Sequence, residues 1–238
     1  MITVLFIWKV NARLKQYLLK GLQEFPELKL LFPTDLSPQN LQNLAENAQI
    51  IVGWRPTKEL LAAAGKLRLF INPGAGVQHL IELFKEINQT GNIVLVNGHG
   101  NSYFTAQHGV ALLLSLMNKL ILHHNWMKEG KWRLGDKEAA SIPLRNRKVG
   151  FLGYGHVNNK IHKMLSGFEV EFAALKRYWQ KKDNNYLKQF EQTELADFLS
   201  WCDIIFCAVP LTSQTTGLIG RKELELLGEN GLLINLSR

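Results

Sequence analysis

Short β-branched and leucine-rich runs alternate with amphipathic segments from Met1 to Asn97, and the same rhythm resumes at Lys148. This alternation constrains the fold more than any other feature, because strands separated by helices close into a parallel sheet. The first series predicts strands at Ile2 to Ile7, Leu28 to Phe32, Ile50 to Trp54, Leu67 to Asn72 and Ile93 to Asn97. Helices are expected around Ala12 to Phe25, Pro38 to Ala48, Lys58 to Ala64 and Gln78 to Ile87, with stops such as Pro26 and Gly65. The polar stretch Asn97-Gly98-His99-Gly100-Asn101-Ser102 breaks the pattern ahead of a long apolar helix from about Tyr103 to Lys128. The second series predicts strands at Lys148 to Leu152, Glu169 to Ala174, Ile204 to Val209 and Gly231 to Asn235. An α/β chain of two doubly wound parallel-sheet domains, divided near Gly98, is the expected architecture.

With 46% hydrophobic and 20% charged residues, the composition is that of an ordinary globular chain. Its longest apolar stretch, Val110 to Leu122, is interrupted by Asn118 and Lys119 and falls short of the roughly 20 residues a bilayer span needs. Met1 to Trp8 lacks a basic leader and a small-residue cleavage site, so it reads as a strand, and a cytoplasmic location is the default. Cys202 and Cys207 have no CxxC spacing and no histidine at a zinc-ligand interval, so they are expected to be buried thiols, with no metal site. The net charge of +8 comes from scattered cations with no nucleic-acid-binding motif, so neither nucleic acid nor membrane is expected as a partner.

The segment Val149-Gly150-Phe151-Leu152-Gly153-Tyr154-Gly155-His156-Val157-Asn158 runs from an apolar strand through a glycine turn into a helix expected over Lys160 to Leu165. Gly153 permits the tight turn, and Gly155 lets the backbone approach a pyrophosphate held by amides at the helix start. Gly153, Tyr154, Gly155, His156 and Val157 are therefore candidate dinucleotide-binding residues. The third position of the pattern, where glycine would allow close packing of helix on strand, is Asn158. At the end of the next strand, where a carboxylate would bond the ribose hydroxyls, the pattern falls on Ala174, followed by Lys176 and Arg177. Two such cations could pair with a 2′-phosphate and favour NADP over NAD, or could be solvated loop residues.

Four further segments occur in order. They are Gly74-Ala75-Gly76-Val77-Gln78-His79, Asn101 through Ala106-Gln107-His108, Val209-Pro210-Leu211-Thr212-Ser213-Gln214-Thr215-Thr216-Gly217-Leu218-Ile219, and Leu233-Ile234-Asn235-Leu236-Ser237-Arg238. Together with the glycine loop they resemble the D-isomer-specific 2-hydroxyacid dehydrogenase family over essentially the whole chain. The resemblance implies a flavodoxin-like substrate domain over residues 1–98 and a Rossmann dinucleotide-binding domain over 99–238 that stops short of the family's full length. It further implies hydride transfer between a nicotinamide cofactor, NAD or NADP, and a small 2-hydroxy or 2-oxo acid.

In that chemistry a cation holds the substrate carboxylate and polarises the carbonyl, a histidine exchanges the hydroxyl proton, and a carboxylate orients the histidine. Arg238 matches the cation. Backbone amides near Ala75 and Gly76 match the substrate loop, with Arg55 and Asn101 as candidate substrate-binding residues and Val209, Pro210 and Thr215 as cofactor contacts. The family's glutamate and histidine follow the arginine, so the resemblance implies that this chain lacks the proton-transfer pair and is inactive alone. Of its histidines, His79, His99, His108, His123, His124, His156 and His162 all fall on expected helices or turns. A non-catalytic dinucleotide-binding regulator is the alternative. The helix from Tyr103 carries more apolar residues than one face requires, which suits either a homodimer interface or burial between domains.

Overall fold

The computed structural model describes residues 1–132, 140–180 and 187–237. The chain divides into two compact units, Met1–Gly100 and Asn101–Arg238. In the first unit, strands β1 (Ile2–Phe6), β2 (Leu28–Leu31), β3 (Ile50–Val52), β4 (Leu69–Asn72) and β5 (Val94–Asn97) form a parallel sheet in the order β2-β1-β3-β4-β5. This is the flavodoxin-like order. Helices α1 (Ala12–Gly21), α2 (Pro38–Ala45), α3 (Lys58–Ala63) and α4 (Gln78–Ile87) connect the strands.

Local chemistry sets these boundaries. The Asn11 side chain accepts from Leu14 N at 2.8 Å to start α1, and Thr57 Oγ1 accepts from Leu60 N at 3.1 Å to start α3. Pro38 opens α2, where its missing N–H costs nothing. Successive residues of β1 face opposite sides of the sheet. Leu5 joins Ile51, Phe70, Leu80 and Phe84 in one core cluster, while Val4 and Phe6 join Val52 in the other.

In the second unit, helix α5 (Ser102–Met117) and helix α6 (Leu120–Lys128) precede the sheet. Strands β6 (Lys148–Leu152), β7 (Glu171–Leu175), β8 (Lys188–Phe190), β9 (Ile204–Cys207) and β10 (Leu232–Asn235) then pair in the order β10-β9-β6-β7-β8, all parallel. Counted within the unit this is 3-2-1-4-5, the Rossmann order. Among the described residues, helices α7 (His156–Leu165), α8 (Leu195–Trp201) and α9 (Arg221–Leu227) lie in the crossovers that follow β6, β8 and β9.

Four features depart from the sequence reading. The expected helix from Tyr103 to Lys128 is two helices, because Lys119 takes a left-handed φ of 50° and the Asn118 side chain donates to Leu114 O at 2.8 Å, closing α5. Strand β8 was not expected, since Lys-Gln-Phe is too short and polar to show an apolar run. Glu169 has a φ of 53°, so β7 starts at Glu171 and runs one residue beyond Ala174. The helix after the glycine turn begins at His156 rather than Lys160.

Alternation along β6 again divides the core. Val149 and Phe151 pack with Ala106, Leu113, Ile161 and Leu165, whereas Leu152 packs with Phe198, Leu199 and Cys202 on the opposite face. Gly150 lies on that second face, and a Cβ there would come within 2.2 Å of Cys202 Sγ and 2.8 Å of the Phe198 ring. Close approach of α8 therefore depends on this glycine. Burial pushes the Cys202 thiol up to about 12, so it stays protonated and packs as a small apolar group. Above Phe151, the rings of Phe172, His162, Tyr154 and Trp179 form a continuous aromatic cluster.

Gly150→Ala is expected to lower stability by about 1–3 kcal/mol, because the methyl group overpacks a site that has no room. A melting temperature equal to that of the unsubstituted chain would show that α8 can yield. Burial also lowers the pKa of half-buried His162 below its ordinary value of 6.5. The unfolded chain then binds a proton more readily, so this contribution to stability is complete above that pH and is lost as pH falls below it. Melting temperature should therefore decline between about pH 7 and pH 5, and less steeply in His162→Gln; parallel profiles would remove His162 as a cause.

Candidate functional site

Parallel α/β sheets bind ligands beyond the carboxyl ends of their strands, where neighbouring crossovers leave in opposite directions. In the second unit that point lies between β6 and β9. Gly153, just past β6, has a φ of 79°, a conformation that favours glycine, and its N–H donates to Leu175 O at 3.0 Å. A Cβ on Gly153 would lie 2.9 Å from Val209 Cγ1 and 3.2 Å from Ala208 O. The turn after β6 thus packs directly on the segment after β9, bringing together two motifs separated by more than fifty residues of sequence. Gly155 differs: a Cβ there would meet nothing within 4 Å, so its outer side is open. Helix α7 begins at the next residue, and the N–H groups of Gly155 and Val157 make no hydrogen bond within the described residues. An open backbone surface at a helix start is the arrangement that receives a phosphate.

His156 is exposed on the first turn of α7, and the side chain of Val157 packs against the core. Tyr154 does not extend toward a ligand. Its hydroxyl lies 2.7 Å from His162 Nδ1 and accepts from Asn159 Nδ2 at 3.3 Å, which folds the ring back over α7. Tyr154 thus offers its backbone to the site, whereas the motif alone does not say which way its ring turns.

The segment after β9 is braced from two sides. Val209 N donates to Ser237 Oγ at 3.0 Å, and Leu236 N donates to Cys207 O at 2.8 Å, tying the end of β10 to it. Thr215 Oγ1 donates to Pro210 O at 2.5 Å and accepts from Thr212 N at 2.9 Å, closing a compact threonine turn. Val209 is thereby held beside Gly153, and Pro210 and Thr215 lie in the turn that continues from it. Arg238 lies outside the described residues.

At the end of β7, Ala174 is fully buried within the strand, and the residue beside Gly153 is Leu175. The sequence reading therefore put the strand end one residue early, but neither position carries a carboxylate. Lys176 lies with Nζ 5.4 Å from the Trp179 ring centroid, and exposed Arg177 lies over Tyr178 at 5.1 Å. Both cations rest on aromatic faces just past the strand end.

In the first unit, the turn Gly74-Ala75-Gly76 follows β4. Buried Asn72, the last residue of β4, donates from Nδ2 to Gly74 O at 2.7 Å and Gly76 O at 3.0 Å. Asn97, the last residue of β5, donates from Nδ2 to Ala75 O at 2.8 Å. All three carbonyls of the turn are engaged by side-chain amides, while the N–H groups of Ala75 and Gly76 make no hydrogen bond within the described residues. Such a turn presents donors, and a carboxylate is the ligand that suits it. Trp54 Nε1 would lie 3.4 Å from a Cβ on Gly74, and His79 Nε2 lies 2.6 Å from Trp54 O, fixing the indole beside the turn. Arg55 is exposed and forms no ion pair among the described residues. Asn101 belongs to the second unit, where its carbonyl accepts from Thr105 N at 3.1 Å ahead of α5 and its side chain caps nothing.

Asn72, Asn97 and Asn158 were not singled out as site residues from the sequence. Their signal is an amide where an apolar residue would be expected: two close apolar strands, and the third falls three and seven residues before buried Ile161 and Leu165 on one face of α7. Among the described residues there is no cluster of three or more metal-ligating side chains and no helix long and apolar enough to cross a membrane.

Comparison with known proteins bears on the family and the fold. The chain is 29% identical to a D-3-phosphoglycerate dehydrogenase of Archaeoglobus fulgidus over 220 residues, covering 89% of this chain and 40% of that protein. It is 25% identical to a 2-ketogluconate reductase of Gluconobacter oxydans over 209 residues, covering 85% of this chain and 64% of that one. The chain therefore spans only part of the length of these relatives. The structure of a D-lactate dehydrogenase of Treponema pallidum superimposes with a TM-score of 0.78 at 20% identity, over 100% of this chain and 71% of that one, a likeness of fold. The model of the NAD binding domain of D-isomer specific 2-hydroxyacid dehydrogenases matches residues 110–238, over half of the sequence, and the chain belongs to that family.

Proposed function

We propose that this chain binds a nicotinamide dinucleotide together with a small 2-hydroxy or 2-oxo acid, in the service of an NAD(P)-dependent oxidoreductase acting on CH–OH donors. The observation that carries the proposal is the closure of the Gly153 turn onto Val209 beside the open helix start at Gly155. The residues fit the cofactor. Gly153 to Val157 would hold the pyrophosphate by backbone N–H groups, and Val209, Pro210 and Thr215 would line the approach to the nicotinamide. When bound, the nicotinamide supplies or accepts the hydride.

On the substrate side, the N–H groups of Ala75 and Gly76 bind the carboxylate, with Arg55 as a further cation. Asn101, at the start of α5, is a further proposed substrate-binding residue. Arg238 is assigned the carboxylate and carbonyl contact, because a guanidinium stays charged and binds carboxylate bidentately. Dinucleotide binding, rather than turnover, is the property proposed for these residues. A second reading, a regulator that senses the cofactor, rests on the same dinucleotide turn. A cytoplasmic location goes with either role.

Lys176 and Arg177, with no carboxylate at Ala174 or Leu175, favour NADP. NADPH should therefore bind more tightly than NADH, and the double substitution Lys176→Ala, Arg177→Ala should abolish the difference in a fluorescence titration. Tenfold tighter binding of NADH would overturn the NADP preference, and failure to bind either dinucleotide would overturn the proposed function.

A second copy of the chain is the proposed partner. Helix α5 carries no Asp, Glu, Lys or Arg, and it leaves Phe104, Leu112 and Leu116 exposed at spacings of eight and four residues, one stripe of the helix. A stripe without formal charge, apolar except for exposed His108 between Phe104 and Leu112, is self-complementary across a two-fold axis. Light scattering should give twice the chain mass, and Leu112→Glu with Leu116→Glu should give a monomer. A monomeric unsubstituted chain at tens of micromolar would exclude the homodimer.

A further inference from the structure

Asn158 stands where the glycine pattern has its third glycine, and it is fully buried. Its Nδ2 lies 2.6 Å from Gly153 O, 3.1 Å from Phe206 O and 3.4 Å from Leu152 O. Since all three neighbours are acceptors, the amide can face them only with its nitrogen. Oδ1, on the other side, is buried and accepts no hydrogen bond from the described residues. The shortest contact falls on the carbonyl of the one loop residue with a left-handed backbone, Gly153. In a trans peptide the N–H points opposite the C=O, and the structure contains no cis peptide bond. A Gly153 carbonyl drawn inward therefore sends the Tyr154 N–H outward, ahead of the first N–H groups of α7.

We propose that Asn158 is a positioning residue for the pyrophosphate of the dinucleotide: by holding the Gly153 carbonyl inward, it turns the Tyr154 N–H toward the phosphates. Glycine has no group to supply that donor. The role rests on the reading that this loop receives a nicotinamide dinucleotide. It separates two functions usually assigned to one loop. Gly153 and Gly155 provide the shape, and Asn158 fixes the direction of the dipole.

The test compares the whole chain with Asn158→Gly and Asn158→Asp. Titrations use NADPH, NADH and, as a phosphate-free probe, adenosine. Asn158→Gly should bind both dinucleotides about tenfold more weakly, the loss of one hydrogen bond's worth of orientation. Its affinity for adenosine should be unchanged, a distinction that general loosening of the loop would not produce. Asn158→Asp should bind poorly at pH 8 and recover at pH 5, where a protonated carboxyl can again donate to Gly153 O. Dinucleotide binding by Asn158→Gly equal to that of the unsubstituted chain overturns the proposal, as does an equal loss for NADPH and adenosine. An unsubstituted chain that binds adenosine but gains nothing from the phosphates overturns it while leaving a nucleotide site. Binding of no nucleotide at all overturns the proposed function as well. Should both variants fail to fold, hydrogen exchange decides the matter in the unsubstituted chain. The Asn158 side-chain amide protons should be strongly protected, and exchange at the rate of an exposed amide would show that the contact to Gly153 is not made.

Discussion

Every crossover in a parallel sheet must leave a strand through a turn whose backbone groups have lost their ladder partners, and those groups need new ones if the turn is packed. Which half of each peptide is satisfied from inside decides what the turn can bind. At the end of β4, the amides of Asn72 and Asn97 take up the carbonyls of Gly74, Ala75 and Gly76. At the end of β6, the Asn158 amide takes up the carbonyl of Gly153. In both units side-chain N–H donors are spent on the carbonyls, leaving backbone donors for whatever approaches from outside. Two sheets with different strand orders thus reach one solution, in which the turn carbonyls are engaged from inside.

This arrangement also connects parts of the second unit that are distant in sequence. Asn158 reaches Phe206 O on β9 as well as the turn after β6, so one side chain spans the gap at which the strand order reverses. Val209 packs against Gly153, and Ser237 holds Val209 N. A displacement of β10 would therefore be felt at the glycine turn through Ser237 and Val209 rather than through solvent. The packing of α5 depends on the same region, because a Cβ on Gly109 would meet Leu236 at 2.7 Å.

The sequence made the sheets legible where apolar runs were long and bounded, as in Lys148–Leu152, whose limits agree with β6. It gave the glycine turn after β6, since glycine is required where φ is positive, as at Gly153, and the turn after β4 by its glycine spacing alone. It failed where the deciding interaction was tertiary. Strand β8 is three residues long, and only Phe190 is buried, so pairing with β7 defines it rather than any pattern of its own. The break between α5 and α6 depends on a single left-handed lysine, a conformation that sequence periodicity does not encode. Tyr154 reads as a loop residue facing a ligand, but its partner His162 lies a little more than two helical turns away and pulls the ring inward. The three asparagines escaped for a related reason. A polar residue on an apolar face reads as a local defect until the carbonyls around it are known.

The cost of these asparagines argues for their role. Asn72 and Asn158 each bury an Oδ1 that accepts no hydrogen bond from the described residues. A buried, unsatisfied acceptor costs on the order of 1–3 kcal/mol, comparable to what the Nδ2 bonds return. Folding alone would be served as well by apolar side chains, with the turn carbonyls left to water. Two such sites, one under each glycine turn and nowhere else among the described residues, are hard to account for by packing. They become intelligible if the quantity being held is the direction of a few peptide dipoles. Fixing that direction before the ligand arrives removes a reorganisation cost that binding would otherwise carry.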